Sequence, residues 1–165
     1  MTVQSSILST SGPRQLPAVG QTVHLLGALL TFRATSAETD GNFSLVEALA
    51  TPGQMTPSHV HHHDDEAFYV LEGAFDFRIG GQTMRSGPGS FHFVSRGTPH
   101  SFNNAGDKPA RMLILNQPAG LHETFFLEAG DAVADASVFP PPSPPDFQRL
   151  GQAAARAGVE MLPPA

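Results

Sequence analysis

Four of the chain's eight histidines fall within five residues, at His59, His61, His62 and His63 of "SHVHHHDDEAFYVLEG". Asp64, Asp65 and Glu66 follow at once. Imidazoles and carboxylates this dense belong to a metal site or to a solvated charge run. Side-chain parity begins to separate the two. On extended chain, residues two apart point to one side, so His59 and His61 share a face. Glu66 opens the alternating run Glu66, Phe68, Val70, and a loop joining the two stretches would carry its carboxylate back toward the histidine pair. His62 has the opposite parity and is expected to point away. His63 shares parity with His61 but lies where the chain turns. It is expected to form a polar rim with Asp64 and Asp65, in a solvated loop, the alternative being that one of His62, His63, Asp64 and Asp65 supports a metal ligand from behind.

A second cluster, "GSFHFVSRGTPHSFNN", holds Gly89, Ser95, Gly97, His100 and Asn104. The first segment has the spacing G-x5-H-x-H-x4-E-x6-G, from Gly53 to Gly73. The second has G-x5-S-x-G-x2-H-x3-N. Together they resemble the two motifs of the cupin superfamily. The first agrees at every named position. The second carries Ser95 where the family usually has Pro, and Ser90 where it usually has Asp. The resemblance implies an all-β fold, a cupin jelly-roll barrel with short C-terminal helices. It implies metal ligands at His59, His61, Glu66 and His100. Three imidazoles and one carboxylate suit one divalent transition metal: Fe, Mn, Ni, Co, Cu or Zn. Four protein ligands leave positions open for water, O2 or substrate.

"HVHHHDDEAFYVLEGAFDFRIGG" and "PARMLILNQPAGLHETFFLEAG" further resemble bacterial single-domain cupins related to quercetin 2,3-dioxygenase, over residues 20 to 160. That likeness implies a metal-dependent dioxygenase acting on a flavonol or on a related small enolic or phenolic compound. Glu66 would then be both ligand and catalytic base for the substrate hydroxyl. The implied partners are O2 and a small hydrophobic or aromatic molecule. Alternating apolar residues supply a candidate substrate pocket: Phe68, Phe75, Phe77, Phe93, Phe102, Met112 and Ile114. Two other readings fit the same motifs. One is a non-enzymatic, metal-containing cupin that binds or senses a small ligand. The other is a cupin isomerase or hydrolase that uses the metal as a Lewis acid.

Short elements must position these groups. From Gln21 to about Leu115, apolar or alternating runs are broken by Gly, Pro, Asn and Asp every ten residues or so, as in an all-β sandwich or barrel. Expected strands are 23–34, 43–50, 67–71, 74–79, 82–85, 90–94, 101–103 and 110–116. Gly80-Gly81 makes a two-residue hairpin turn. His24, His92 and His122 are expected to be structural or exposed, with His92 facing away from Phe91 and Phe93. Residues 1–20 read as an N-terminal arm and 21–120 as the barrel. Residues 121–165 read as an extension of the same domain, in which a Pro-rich spacer separates two helices. The second starts at an Asp146 N-cap and presents Phe147, Leu150, Ala154 and Ala157 on one face.

Composition narrows the function classes. The chain has 165 residues, net charge −6 and 40% hydrophobic residues, a globular balance for one domain. Basic residues are few and scattered, which argues against nucleic-acid binding. With no Cys, disulfides, thiolate metal sites and thiol catalysis are excluded. No apolar run reaches membrane-span length, and the N-terminus lacks a signal-peptide pattern. The expected location is the cytoplasm and the expected assembly a homodimer.

Overall fold

The computed structural model describes residues 16–163. Its strands are β1 (Thr22–Leu25), β2 (Ala28–Ala34), β3 (Ser44–Ala50), β4 (His59–His61), β5 (Asp65–Glu72), β6 (Phe75–Ile79), β7 (Gln82–Ser86), β8 (Phe91–Val94), β9 (His100–Asn104), β10 (Ala110–Gln117), β11 (Asp131–Ala132) and β12 (Val159–Met161). Two helices, α1 (Leu121–Ala129) and α2 (Phe147–Ala157), flank β11. A seven-stranded sheet runs β11-β1-β2-β3-β10-β5-β8, and a five-stranded sheet runs β12-β4-β9-β6-β7. All pairings are antiparallel. The fold is therefore an all-β, two-sheet barrel with two short helices, as the motif resemblance implies.

Inward residues of both sheets make the core. Phe32, Val46, Ala48, Phe68, Val70, Phe75, Phe77 and Met112 are buried there. Strand alternation accounts for this directly: β3 and β10 bury every second residue. The expected 23–34 run is a hairpin of two strands rather than one, because Leu26 and Gly27 both take positive φ between β1 and β2. The three-residue β4 and the strands β11 and β12 were not among the expected strands. Short strands of this kind carry too little alternation to stand out. At Gly80-Gly81 the β6–β7 hairpin turns as expected, with φ of 54° and 85°.

The C-terminal extension packs against the barrel. Helix α1 sends His122, Phe125, Phe126 and Ala129 inward, an i, i+3, i+4, i+7 stripe. Asp146 caps α2 by accepting the Arg149 backbone N–H, as its sequence position predicts. Leu150, Ala153, Ala154 and Ala157 are the buried face of α2. Phe147 departs from the expected face: it is 70% exposed, because it opens the first turn beyond the reach of the core. After Gly158 the chain enters β12, which pairs with β4 and holds the histidine strand from its outer side.

Gly73, the last residue of the first motif, has a structural reason. Its φ is 74°, and a Cβ there would lie 2.7 Å from the Ala110 Cβ. Both the backbone region and the contact exclude a side chain. Gly73→Ala is expected to cost about 2–4 kcal/mol and to lower the unfolding midpoint by about 5–15 °C. Thermal denaturation followed by circular dichroism checks this.

Candidate metal centre

Three short elements bring the ligand candidates together. His59 on β4 lies directly opposite His100 on β9, so the two imidazoles leave their strands side by side. Their ring centroids are 4.2 Å apart, and His61, two residues along β4, is 5.1 Å from each. Glu66 enters from β5 in the other sheet. One donor atom from each of His59, His61, Glu66 and His100 falls within 4.8 Å of the others, and all four residues are buried.

The outer nitrogens fix the inner ones. His59 Nδ1 donates to the Pro57 carbonyl at 2.8 Å. His100 Nδ1 repeats the arrangement with the Thr98 carbonyl at 2.9 Å. His61 Nδ1 donates to Asp64 Oδ2 at 3.0 Å. With every Nδ1 so engaged, Nε2 of each ring is the atom left for the centre. His61 Nε2 is buried without a hydrogen-bond partner, 3.6 Å from Glu66 Oε2. His100 Nε2 lies 2.8 Å from the same oxygen. Two atoms that each bring a lone pair require a proton or a cation between them, so the donor set fits a divalent ion.

The electrostatics point the same way. Burial, reinforced by the neighbouring His100, pushes His59 down to about 3. Burial alone would raise Glu66, but His61 and His100 beside it outweigh this and hold it below the usual carboxylate range. Burial would lower His61, yet Glu66 and Asp64 outweigh it and raise the ring. A carboxylate kept ionised among imidazoles is the preparation a cation site needs.

Three residues that the sequence did not single out as site groups belong to this centre. Asp64, expected in a solvated loop, is 1% exposed and holds His61 from behind. That expectation is corrected: the loop folds inward at Asp64 because Asn116 on β10 donates to its Oδ2 at 2.9 Å. Asn116 also donates to Glu66 Oε1 at 3.3 Å, tying the two carboxylates together. His122, from α1, stacks on His61 at 4.6 Å with Nε2 3.9 Å from Glu66 Oε1. It is buried, and burial with the nearby His61 lowers it to about 4. The signal for His122 was its place on the apolar stripe of α1. Asp64 was one of four neighbouring polar residues open to a supporting role, and nothing in the sequence set it apart from the other three.

The remaining residues of the opening cluster face outward. His62 pairs with Glu160 at the surface. Asp65 takes Arg96 in a two-pronged pair, which draws its carboxyl down to about 2. The exposed His63 ring lies over Gly158, where a Cβ would overlap it.

Beside the centre is a narrow apolar cavity of about 60 Å³. His59, Glu66 and His122 line it at the metal end. Its walls come from Leu25 and Leu26, from Phe102 and Ile114, and from Phe125, Phe126 and Leu150 of the helices. Of the candidate pocket residues, Phe102 and Ile114 line this cavity. Phe68, Phe75, Phe77 and Met112 instead pack in the barrel core. Phe93 is corrected: it is 56% exposed on the outer face of β8. His92, opposite in parity, is the inward residue there, tilted against the Phe77 ring at 4.6 Å and bonded to Ser86 Oγ.

Comparison with known proteins agrees with this geometry. A family model described as "Cupin domain" matches residues 47–116. Residues 47–116 thus carry a cupin domain. The chain is 30% identical to quercetin 2,3-dioxygenase of Bacillus subtilis over 79% of this chain and 38% of that protein. It is 33% identical to the tetracenomycin polyketide synthase protein TcmJ of Streptomyces glaucescens, over 55% of this chain and 59% of the relative. The chain thus spans less than two thirds of these curated relatives. Among solved structures, a predicted oxalate decarboxylase from Thermotoga maritima superposes with a TM-score of 0.56 at 17% identity, covering 63% of this chain and 98% of the other. KdgF from Halomonas sp. gives 0.52 at 21%, covering 57% and 81%. At those identities the cupin fold is what is shared. Among the described residues, no helix is long and apolar enough to cross a membrane.

Two substitutions separate ligand from support. His100→Ala is expected to abolish stoichiometric binding of a divalent transition metal. Asp64→Asn keeps the volume but weakens the hold on His61, and is expected to reduce metal affinity about 10- to 100-fold. Competition titration against a chelator of known affinity measures both.

Proposed function

We propose that this cupin is a metal-dependent dioxygenase acting on a flavonol or on a smaller enolic or phenolic compound. The observation that carries the reading is the place of Glu66: an ionised carboxylate among three imidazoles, on the wall of an apolar cavity. His59, His61, Glu66 and His100 would hold a divalent ion, which would supply positive charge to acidify a bound hydroxyl and a position for O2. One oxygen of Glu66 would then accept the substrate hydroxyl's hydrogen bond and take its single proton. Asn116, through Glu66 Oε1, keeps that carboxylate in place. The Leu, Ile and Phe walls exclude water from the enolate and hold a flat ring against the centre. In the flavonol version, the enolate reacts with O2, the heterocycle opens and carbon monoxide leaves.

Cavity size bears on the substrate. About 60 Å³ is far below the roughly 300–1,000 Å³ of sites that hold drug-sized ligands. A three-ring flavonol therefore requires outward displacement of α1 and α2, whereas a smaller phenol or enol needs less. The similarity to TcmJ and to the polyketide synthase protein CurC of Streptomyces cyaneus supports the second substrate class, because polyketides carry enolisable carbonyls and phenols. A ligand-binding or sensing role, and Lewis-acid isomerase or hydrolase chemistry, rest on the same ligands without Glu66 acting as base. A homodimer accords with the outward aromatic patch of Tyr69, Phe91 and Phe93 on β5 and β8.

The test is to strip the protein, reload it with Fe, Mn, Co, Ni, Cu or Zn in turn, and follow quercetin absorbance in air. Quercetin loss that requires O2 and releases carbon monoxide is the expected result with at least one metal. Binding without consumption by any loaded form would sink the dioxygenase reading in favour of a binding role. Glu66→Gln is expected to reduce turnover at least 100-fold while lowering metal content much less. Equal loss of both would make Glu66 a ligand only.

A further inference from the structure

The cavity has a second polar end that the metal centre does not use. Gln54, on the loop before β4, lines the same cavity as His59 and Glu66. It is 5% exposed, and its Oε1 has no hydrogen-bond partner. Its Nε2 is engaged by Thr56 Oγ1 at 3.3 Å. Leaving a buried acceptor unpaired in an apolar surround costs about 1–3 kcal/mol, so an amide kept there calls for a partner.

The loop holds Gln54 firmly. Its N–H donates to the Thr51 carbonyl, and its carbonyl accepts from Asn104 N–H. Asn104 Nδ2 braces the loop through the Ala50, Thr51 and Lys108 carbonyls. Strand register then sets how far the Gln54 backbone lies from the ligand strand position. His59 lies opposite His100, and Gln54 is bonded to Asn104, four residues further along β9. Four residues of strand span about 13 Å. The groups that matter here, His59 and Glu66 at one end and Gln54 at the other, belong to the barrel and its loop rather than to α1 or α2. Movement of the helices to admit a ligand would leave their separation intact.

We propose that Gln54 Oε1 is a second recognition point, accepting a hydrogen bond from a hydroxyl at the end of the substrate remote from the metal. The substrate class is then narrower than the function proposed above, on which this inference rests: a flat aromatic compound with one oxygen function at each end. A site built to pair a hydroxyl discriminates against the analogue that lacks it, because the acceptor is again left bare.

Two pairs of probes test this in metal-loaded protein by calorimetric titration: 3,4′-dihydroxyflavone against 3-hydroxyflavone, and 4,4′-dihydroxybiphenyl against 4-hydroxybiphenyl. The dihydroxy member of at least one pair is expected to bind about 5- to 10-fold more tightly than its partner. Gln54→Met, of similar length and apolar, is expected to bring that ratio to about one, with the monohydroxy affinity and the metal content unchanged. Gln54→Leu serves as a second variant with the same expectation. Discrimination among biphenyls while neither flavone binds would keep the subsite and remove the flavonol reading. Binding and consumption of both flavones, with no discrimination in either pair, would remove the subsite and keep that reading. Discrimination that survives in both variants, or no binding of any probe, would overturn the subsite.

Discussion

Three imidazoles and a carboxylate share one buried point between two sheets, and the rest of the structure is arranged around tolerating that. Such groups are costly to bury unless each polar atom has a partner. Here every outer nitrogen has one: the Pro57 and Thr98 carbonyls and the Asp64 carboxylate. What is left inward is lone-pair density from three Nε2 atoms and Glu66, which only a proton or a cation can reconcile. The centre is thus a demand for positive charge, built from three imidazoles and one ionised acid.

That demand orders the elements near it. β4 exists as a three-residue strand because β9 pairs it on one side and β12 on the other. The C-terminal chain is accordingly part of the site. α1 delivers His122 and two phenylalanines to the cavity, α2 delivers Leu150, and β12 delivers Val159 and Met161. Asn116 links the carboxylate that supports His61 to Glu66, the one on the cavity wall. A change in one support is therefore felt at both ligands.

Much of this was legible in the sequence, and what was not has physical reasons. The i, i+2 spacing of His59 and His61 survives in the structure because side-chain parity is a property of any extended chain. The second motif located His100 some forty residues away. The Asp146 cap of α2 and the Leu150, Ala154 and Ala157 face could also be read, but not Phe147, because helical periodicity gives a face and not how far the core extends. Asp64 could not be read. Its burial depends on Asn116, which lies more than fifty residues later and meets it only after β5 and β10 pair. Phe93 failed for the converse reason: alternation identifies two faces of β8 but does not say which is inside. Apolar type favoured the wrong one, and His92 took the inner place.

The most direct measurement is anomalous X-ray diffraction from crystals of the protein loaded with a single divalent transition metal. The account predicts one dominant peak, about 2.0–2.2 Å from Nε2 of His59, His61 and His100 and from a Glu66 oxygen. A dominant peak among His61, Asp64 and His122, one at the surface pair His62 and His63, or none within bonding reach of Glu66 would contradict it.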